Sequence, residues 1–109
     1  MLLTSRSSFL LNNKGYTIER YLHGKTRKYN DIVNWKWTQL LSTLGGEEGV
    51  TTQSYTVNTK AELEQLLSTD SFSRADKCQL VEVMMDQFDA PRALQAQAEL
   101  SGKANKYAL

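Results

Sequence analysis

The sequence predicts an α/β fold: a partial parallel sheet of about three strands with flanking helices. Three observations lead there. Short apolar segments alternate with helix-patterned ones along the 109 residues. The segment Leu80, Val81, Val83, Met84 and Met85 is almost continuously apolar, as in a strand covered on both faces. Capping and stop residues then punctuate the helices between the strands. The composition, 40% hydrophobic and 23% charged, is that of an ordinary globular chain and excludes a disordered one.

Phe9, Leu10 and Leu11 form the first predicted strand, which stops at Asn12-Asn13 and a Lys14-Gly15 turn. From Tyr16 to His23, Ile18, Tyr21 and Leu22 recur at helical spacing, and Gly24 is the stop. Trp37, Leu40, Leu41 and Leu44 fall at i, i+3, i+4 and i+7, predicting an amphipathic helix that ends at Gly45-Gly46 and requires a sheet beneath it. Tyr55 to Val57 is the second strand. Thr59 with Glu62 makes a capping box, opening a helix that carries Leu63, Leu66 and Leu67.

Ser68 to Asp76 reads as turns, and the apolar run from Leu80 is the third strand. Pro91 opens the last helix, with Ala93, Leu94, Ala98 and Leu100 inside it and Gly102 near its end. Residues 103–109 are expected to fray or dock. A sheet of three strands leaves two open edges, so the architecture reads as part of something larger.

Thirteen Lys and Arg against twelve Asp and Glu leave a formal charge of +1, which provides no field for nucleic acid or an anionic membrane. Lys25, Arg27 and Lys28 read as a solvated loop. The single cysteine, Cys78, has no internal disulfide partner and begins an apolar run, so a reducing, cytoplasmic location is expected. Ser5 to Ser8 interrupt the opening residues before they reach signal-peptide length, and nothing is long enough to span a membrane.

The segment with chemical content is Asn12-Asn13-Lys14-Gly15-Tyr16-Thr17-Ile18-Glu19, at the carboxyl end of the first strand, where open α/β sheets bind ligands. An Asn side-chain oxygen and a backbone carbonyl are hard neutral ligands suited to Mg²⁺. Gly15 permits a tight turn and close approach. The N–H groups of the following helix suit a diphosphate. Glu19, one turn in and beside Ile18, would gain a raised pKa if partly desolvated. The plainer reading of the same residues is a turn followed by a surface acid at a helix start.

This octet resembles the second half of the thiamine-diphosphate motif of the pyruvate decarboxylases, which are 2-oxo-acid decarboxylases; that motif opens with Gly-Asp-Gly and closes with Asn-Asn. The similarity is closest to the fungal members. It continues collinearly through Tyr29-Asn30-Asp31-Ile32, Trp35, Leu40 to Leu44 and Phe88-Asp89-Ala90-Pro91. Residues 9–109 are thereby similar to the C-terminal part of the diphosphate-binding domain, and 1–8 are an unmatched N-terminal segment.

The resemblance implies thiamine diphosphate and Mg²⁺ as cofactors and a 2-oxo acid, pyruvate, as substrate. It implies that Asn13 and Gly15 ligate Mg²⁺, that Asn12, Tyr16 and Thr17 shape the diphosphate turn, that Ile18 lines the substrate pocket and that Glu19 is catalytic. Lys14 stands where several members have Asp. The Gly-Asp-Gly segment and the pyrimidine-binding domain have no counterpart in these residues, so a half-site inactive alone is expected. The alternative is a non-catalytic module that binds full-length decarboxylase subunits.

Outside that segment, His23 reads as a helix-end residue, Trp35 and Trp37 as packing residues, and Glu82 as a buried acid paired with a basic residue. Neither a catalytic triad nor zinc-ligand spacing occurs.

Overall fold

The computed structural model describes residues 6–108, with side chains described through residue 104. The unmatched segment 1–8 therefore lies largely outside the described residues, although Ser7 and Ser8 belong to a strand. The described residues form two units, one of residues 6–12 with 35–84 and one of residues 13–34 with 85–108.

The first unit is built on β1 (Ser7–Asn12), β2 (Thr52–Val57) and β3 (Cys78–Met84). All pairings are parallel and the order is β1-β3-β2, so the α/β prediction holds and the most apolar strand lies in the centre. Each strand starts two or three residues before its apolar run. Ladder bonds use backbone groups and tolerate polar side chains there: Gln79 N–H donates to the Arg6 carbonyl at 2.7 Å and Cys78 N–H to Thr51 at 3.0 Å.

Strand alternation sorts the residues by face. Phe9, Val81 and Tyr55 are in register, as are Leu11, Val83 and Val57. On that side Val57, Phe72 and Val81 form the core, joined by Tyr55, Leu63, Leu66 and Val83. Burying one such side chain contributes about 1.5–3 kcal/mol. Leu63 and Leu66 come from α3 (Lys60–Leu67), where the capping box forms: Glu62 N–H donates to Thr59 Oγ1 at 3.1 Å. The reciprocal bond shifts by one residue, with Asn58 N–H donating to Glu62 Oε2 at 2.6 Å.

Two expectations fail in this unit. The predicted turns of 68–76 contain a helix, α4 (Asp70–Arg74), which carries Phe72 into the core and ends at Ala75 in the left-handed region. Its ring meets Phe9 and Tyr55 edge-on, at centroid distances of 6.2 and 5.7 Å. The amphipathic helix predicted from Trp37 shrinks to a 3₁₀ turn, Trp37–Gln39, and the four-residue α2 (Leu40–Thr43). Ser42 and Thr43 hydroxyls bond back to the Gln39 carbonyl, and Leu40 and Leu44 stay exposed.

The second unit contains α1 (Thr17–His23), a 3₁₀ turn at Lys28–Asn30, and α5 (Arg92–Ala108). Gly102 does not end α5, and residues 103–108 are helical. The missing side chain serves packing instead: a Cβ there would lie 2.6 Å from the Leu22 carbonyl of α1. Thr17 and Tyr21 hydroxyls donate to the Gln87 and Phe88 carbonyls at 2.9 and 2.7 Å, fastening α1 to the segment that precedes α5.

Candidate functional site

Asn12, the last residue of β1, is buried, and its amide donates to Glu82 Oε2 at 2.7 Å. Glu82 lies on the central strand, and its other oxygen accepts from Thr56 Oγ1 of β2 at 3.3 Å. A carboxylate 8% exposed is thus held by neutral donors from both outer strands. The basic partner expected for Glu82 is replaced by an amide and a hydroxyl, because its neighbours in register are Leu10 and Thr56.

The turn follows directly in sequence. Asn13, half-buried, donates from its side chain to Thr17 Oγ1 at 2.9 Å, while its Oδ1 accepts a long 3.4 Å bond from Gly15 N–H. Lys14 takes the left-handed conformation, with φ at 62°. The sharp bend therefore belongs to Lys14 and not, as expected, to Gly15. Gly15 is required for space: it bridges Asp31 in an antiparallel pair, and any Cβ would run into the Asn30 carbonyl and the Arg20 guanidinium.

Tyr16 is exposed, caps α1 without a side-chain bond, and donates its N–H to the Asn30 carbonyl at 2.9 Å. Thr17 is buried, Ile18 half-buried and Glu19 exposed. Glu19 thus faces water, without the partial desolvation expected of it. With seven residues, α1 is also a short dipole for anion binding.

Arg20 is a site residue that its place in the sequence does not announce. Its side chain is 2% exposed; Nη1 donates to Asp31 Oδ1 at 2.7 Å and Nη2 to the Lys14 carbonyl at 3.2 Å. Flanked by Glu19 and Tyr21 on a helix that otherwise follows its apolar pattern, Arg20 carries no periodic signal of burial. Only the acid in Tyr29-Asn30-Asp31-Ile32 hinted at a partner. Asn30 is also buried and donates to the Gly24 carbonyl at 3.3 Å.

Other singled-out residues take structural places. Tyr29 hydroxyl donates to the carbonyl of His23, and Lys25 lies 5.2 Å over the Tyr21 ring. Trp35 and Trp37 rings rest on each other at 5.2 Å. In the sheet unit, burial pushes the Tyr55 phenol above its ordinary value, with Glu48 and Asp76 adding to the rise. Tyr55, Val57, Glu62 and Leu66 are among the walls of a cleft of about 280 Å³. A second cleft, about 270 Å³, is lined by Tyr21, Leu22, Glu99, Gly102 and Lys103. Neither cleft includes Ile18 or Glu19.

Within 13–15 two neutral oxygens remain able to bind a hard cation. Asn13 Oδ1 is engaged only by the 3.4 Å contact, and the Gly15 carbonyl accepts no hydrogen bond among the described residues. No cluster of three His, Cys, Asp or Glu side chains suited to a metal occurs among the described residues. No described helix is long and apolar enough to cross a membrane.

Fold and turn together define a segment of an open parallel α/β protein with its candidate site in the turn after an outer strand. No family model matches the sequence. The chain is similar to the pyruvate decarboxylase of Candida albicans, 44% identical over 97 residues that make up 89% of this chain and 17% of that protein. Over the same shares it is 40% identical to the pyruvate decarboxylase of Kluyveromyces lactis and 38% to pyruvate decarboxylase isozyme 1 of Saccharomyces cerevisiae. The chain spans 17% of the length of these curated relatives. This likeness over nine-tenths of the chain supports a pyruvate decarboxylase-like fragment, similar to a C-terminal portion of these fungal proteins.

Proposed function

We propose that this chain supplies the C-terminal half of a thiamine-diphosphate and Mg²⁺ site in a cytoplasmic pyruvate decarboxylase-like lyase, and that the 109 residues do not turn over pyruvate alone. The observation that carries the reading is the Asn13 to Gly15 turn, where a side-chain oxygen and a backbone carbonyl are left for a hard cation. These donors fit part of an oxygen shell, and a carboxylate must come from elsewhere.

In this reading Asn13 Oδ1 and the Gly15 carbonyl hold Mg²⁺, while Asn12, Tyr16 and Thr17 fix the backbone that receives the diphosphate. When bound, the cofactor supplies the stabilisation of negative charge as the bond between C1 and C2 of pyruvate breaks and CO₂ departs. Ile18 borders the substrate. Glu19 delivers the proton that C2 must gain for acetaldehyde to form, and in the assembled site neighbouring segments remove it from the water it faces here.

Binding and turnover test the two halves of the reading. Titration calorimetry with thiamine diphosphate and Mg²⁺ should show binding that Asn13→Ala weakens; equal heats for both proteins would count against the metal assignment. With pyruvate added, the chain should release no more acetaldehyde than its Glu19→Gln variant. Glu19-dependent turnover would refute inactivity alone.

A second reading is favoured by the sheet order. Both β1 and β2 are outer strands, and Phe9 and Leu11 of β1 are 48% and 65% exposed. A module that binds full-length decarboxylase subunits through such an edge is the alternative. Size-exclusion chromatography of the chain mixed with full-length enzyme decides it, since separate elution at micromolar concentration leaves no support for association.

A further inference from the structure

We infer that Arg20 and Asp31 are positioning residues that hold the Lys14 and Gly15 backbone in a preformed shape for the ligands proposed above; the inference rests on that reading for its purpose, but not for its geometry. Arg20 reaches two parts of the turn region at once. One arm of its guanidinium grips Asp31 at 2.7 Å and the other grips the Lys14 carbonyl at 3.2 Å. Gly15 pairs with Asp31 between them, and that pairing is closed by Tyr16 N–H to the Asn30 carbonyl and Ile32 N–H to the Lys14 carbonyl, both at 2.9 Å.

Stability does not account for this arrangement. An ion pair with one buried and one half-exposed partner contributes little net stability, and an apolar side chain of similar volume often serves as well at the buried end. Arg20 is buried while its Nε finds no hydrogen-bond partner among the described residues, a cost that a packing residue would not carry. Asp31, by contrast, has a side chain 53% exposed, so the pair is anchored at the buried end and open at the other. The polar contacts of the buried guanidinium end on the turn or on the strand-like residue bridged to it. The planar fork of Arg satisfies both acceptors together, whereas a Lys ammonium is a point charge that does not reproduce the fork.

The consequence is kinetic protection of two amides and retention of the carbonyl geometry at Gly15. Hydrogen exchange followed by NMR on the full 109-residue chain reads it directly, comparing wild type with Asp31→Asn and Arg20→Lys. Exchange at the Tyr16 and Ile32 amides should accelerate about tenfold in Asp31→Asn while the Val81 amide of β3 is unchanged, because the ion pair with Arg20 is lost locally and only a weaker bond to a neutral oxygen remains. Arg20→Lys should fall between the two. Since Asp31 is half exposed, its variant decides the matter even where replacement of Arg20 unfolds the chain. Equal exchange within about twofold, or acceleration that only tracks Val81, would overturn the inference.

Mn²⁺ with thiamine diphosphate, used in place of Mg²⁺, separates this from the functional reading. In wild type it should broaden the Asn13 and Gly15 amide resonances, and Asp31→Asn should require several-fold more Mn²⁺ for the same broadening. Broadening at equal Mn²⁺ in both proteins would sink the positioning role. No broadening in wild type would sink the cofactor reading, and the exchange experiment would still decide the clamp.

Discussion

Asn12 and Glu82 stand 70 positions apart in sequence and meet through a 2.7 Å hydrogen bond, the amide of one outer strand donating to the buried carboxylate of the central one. The other carboxylate oxygen accepts from Thr56. Glu82→Leu keeps roughly the shape but removes both acceptor oxygens, on which the Asn12 amide and the Thr56 hydroxyl rely. A loss of roughly 1–3 kcal/mol is expected, the cost of an unmade buried bond. Urea denaturation followed by tryptophan fluorescence checks it, and a midpoint equal to wild type would show that the carboxylate is not needed.

Lys14 presents the opposite case, a residue whose replacement should help. A non-glycine residue at φ 62° is strained, and Asn tolerates that region better than Lys because its short polar side chain bonds locally. Lys14→Asn keeps the carbonyl that Ile32 and Arg20 use. The midpoint of thermal unfolding should rise, for a gain of about 1 kcal/mol. A fall would show that the Lys side chain contributes more than its backbone costs.

Alkaline stability should depend on Tyr55. Burial first, then Glu48 and Asp76, raise its phenol pKa above the ordinary value of 10.0. The unfolded chain therefore releases this proton at lower pH than the folded one, and folding stability falls as pH climbs. The contribution is fully present below pH 10.0 and lost as pH passes through the raised value. Tyr55→Phe should flatten the decline in denaturation midpoint on that alkaline side, and parallel profiles for the two proteins would contradict the assignment.

The strands were legible because their signal is local: the apolar run beginning at Leu80 has no solvent-facing alternative, and Thr59 with Glu62 reads as a cap in any context. What escaped the sequence is long-range. Phe72 draws a helix out of a turn-rich segment because rings on two strands surround it. Arg20 is buried because Asp31, eleven positions on, and the Lys14 carbonyl receive it. Within the candidate site the residue types were readable, but the bend and the close approach both expected of Gly15 are divided: the bend falls on Lys14 through its dihedral, and the close approach stays on Gly15 through its neighbours.

Gly102 carries the last prediction. In a helix interior Gly is worse than Ala by about 0.5–1 kcal/mol, so propensity alone would make Gly102→Ala stabilising. Geometry points the other way. The new Cβ would meet the Leu22 carbonyl at 2.6 Å, with backbone on both sides and no flexible side chain to yield. Overpacking of that kind costs about 1–3 kcal/mol, which exceeds the propensity gain. The variant should lower the thermal midpoint seen by circular dichroism, whereas Ser101→Ala, at an exposed neighbour, should leave it unchanged or raise it. If Gly102→Ala raised the midpoint as Ser101→Ala does, the close contact between α1 and α5 would not exist in solution.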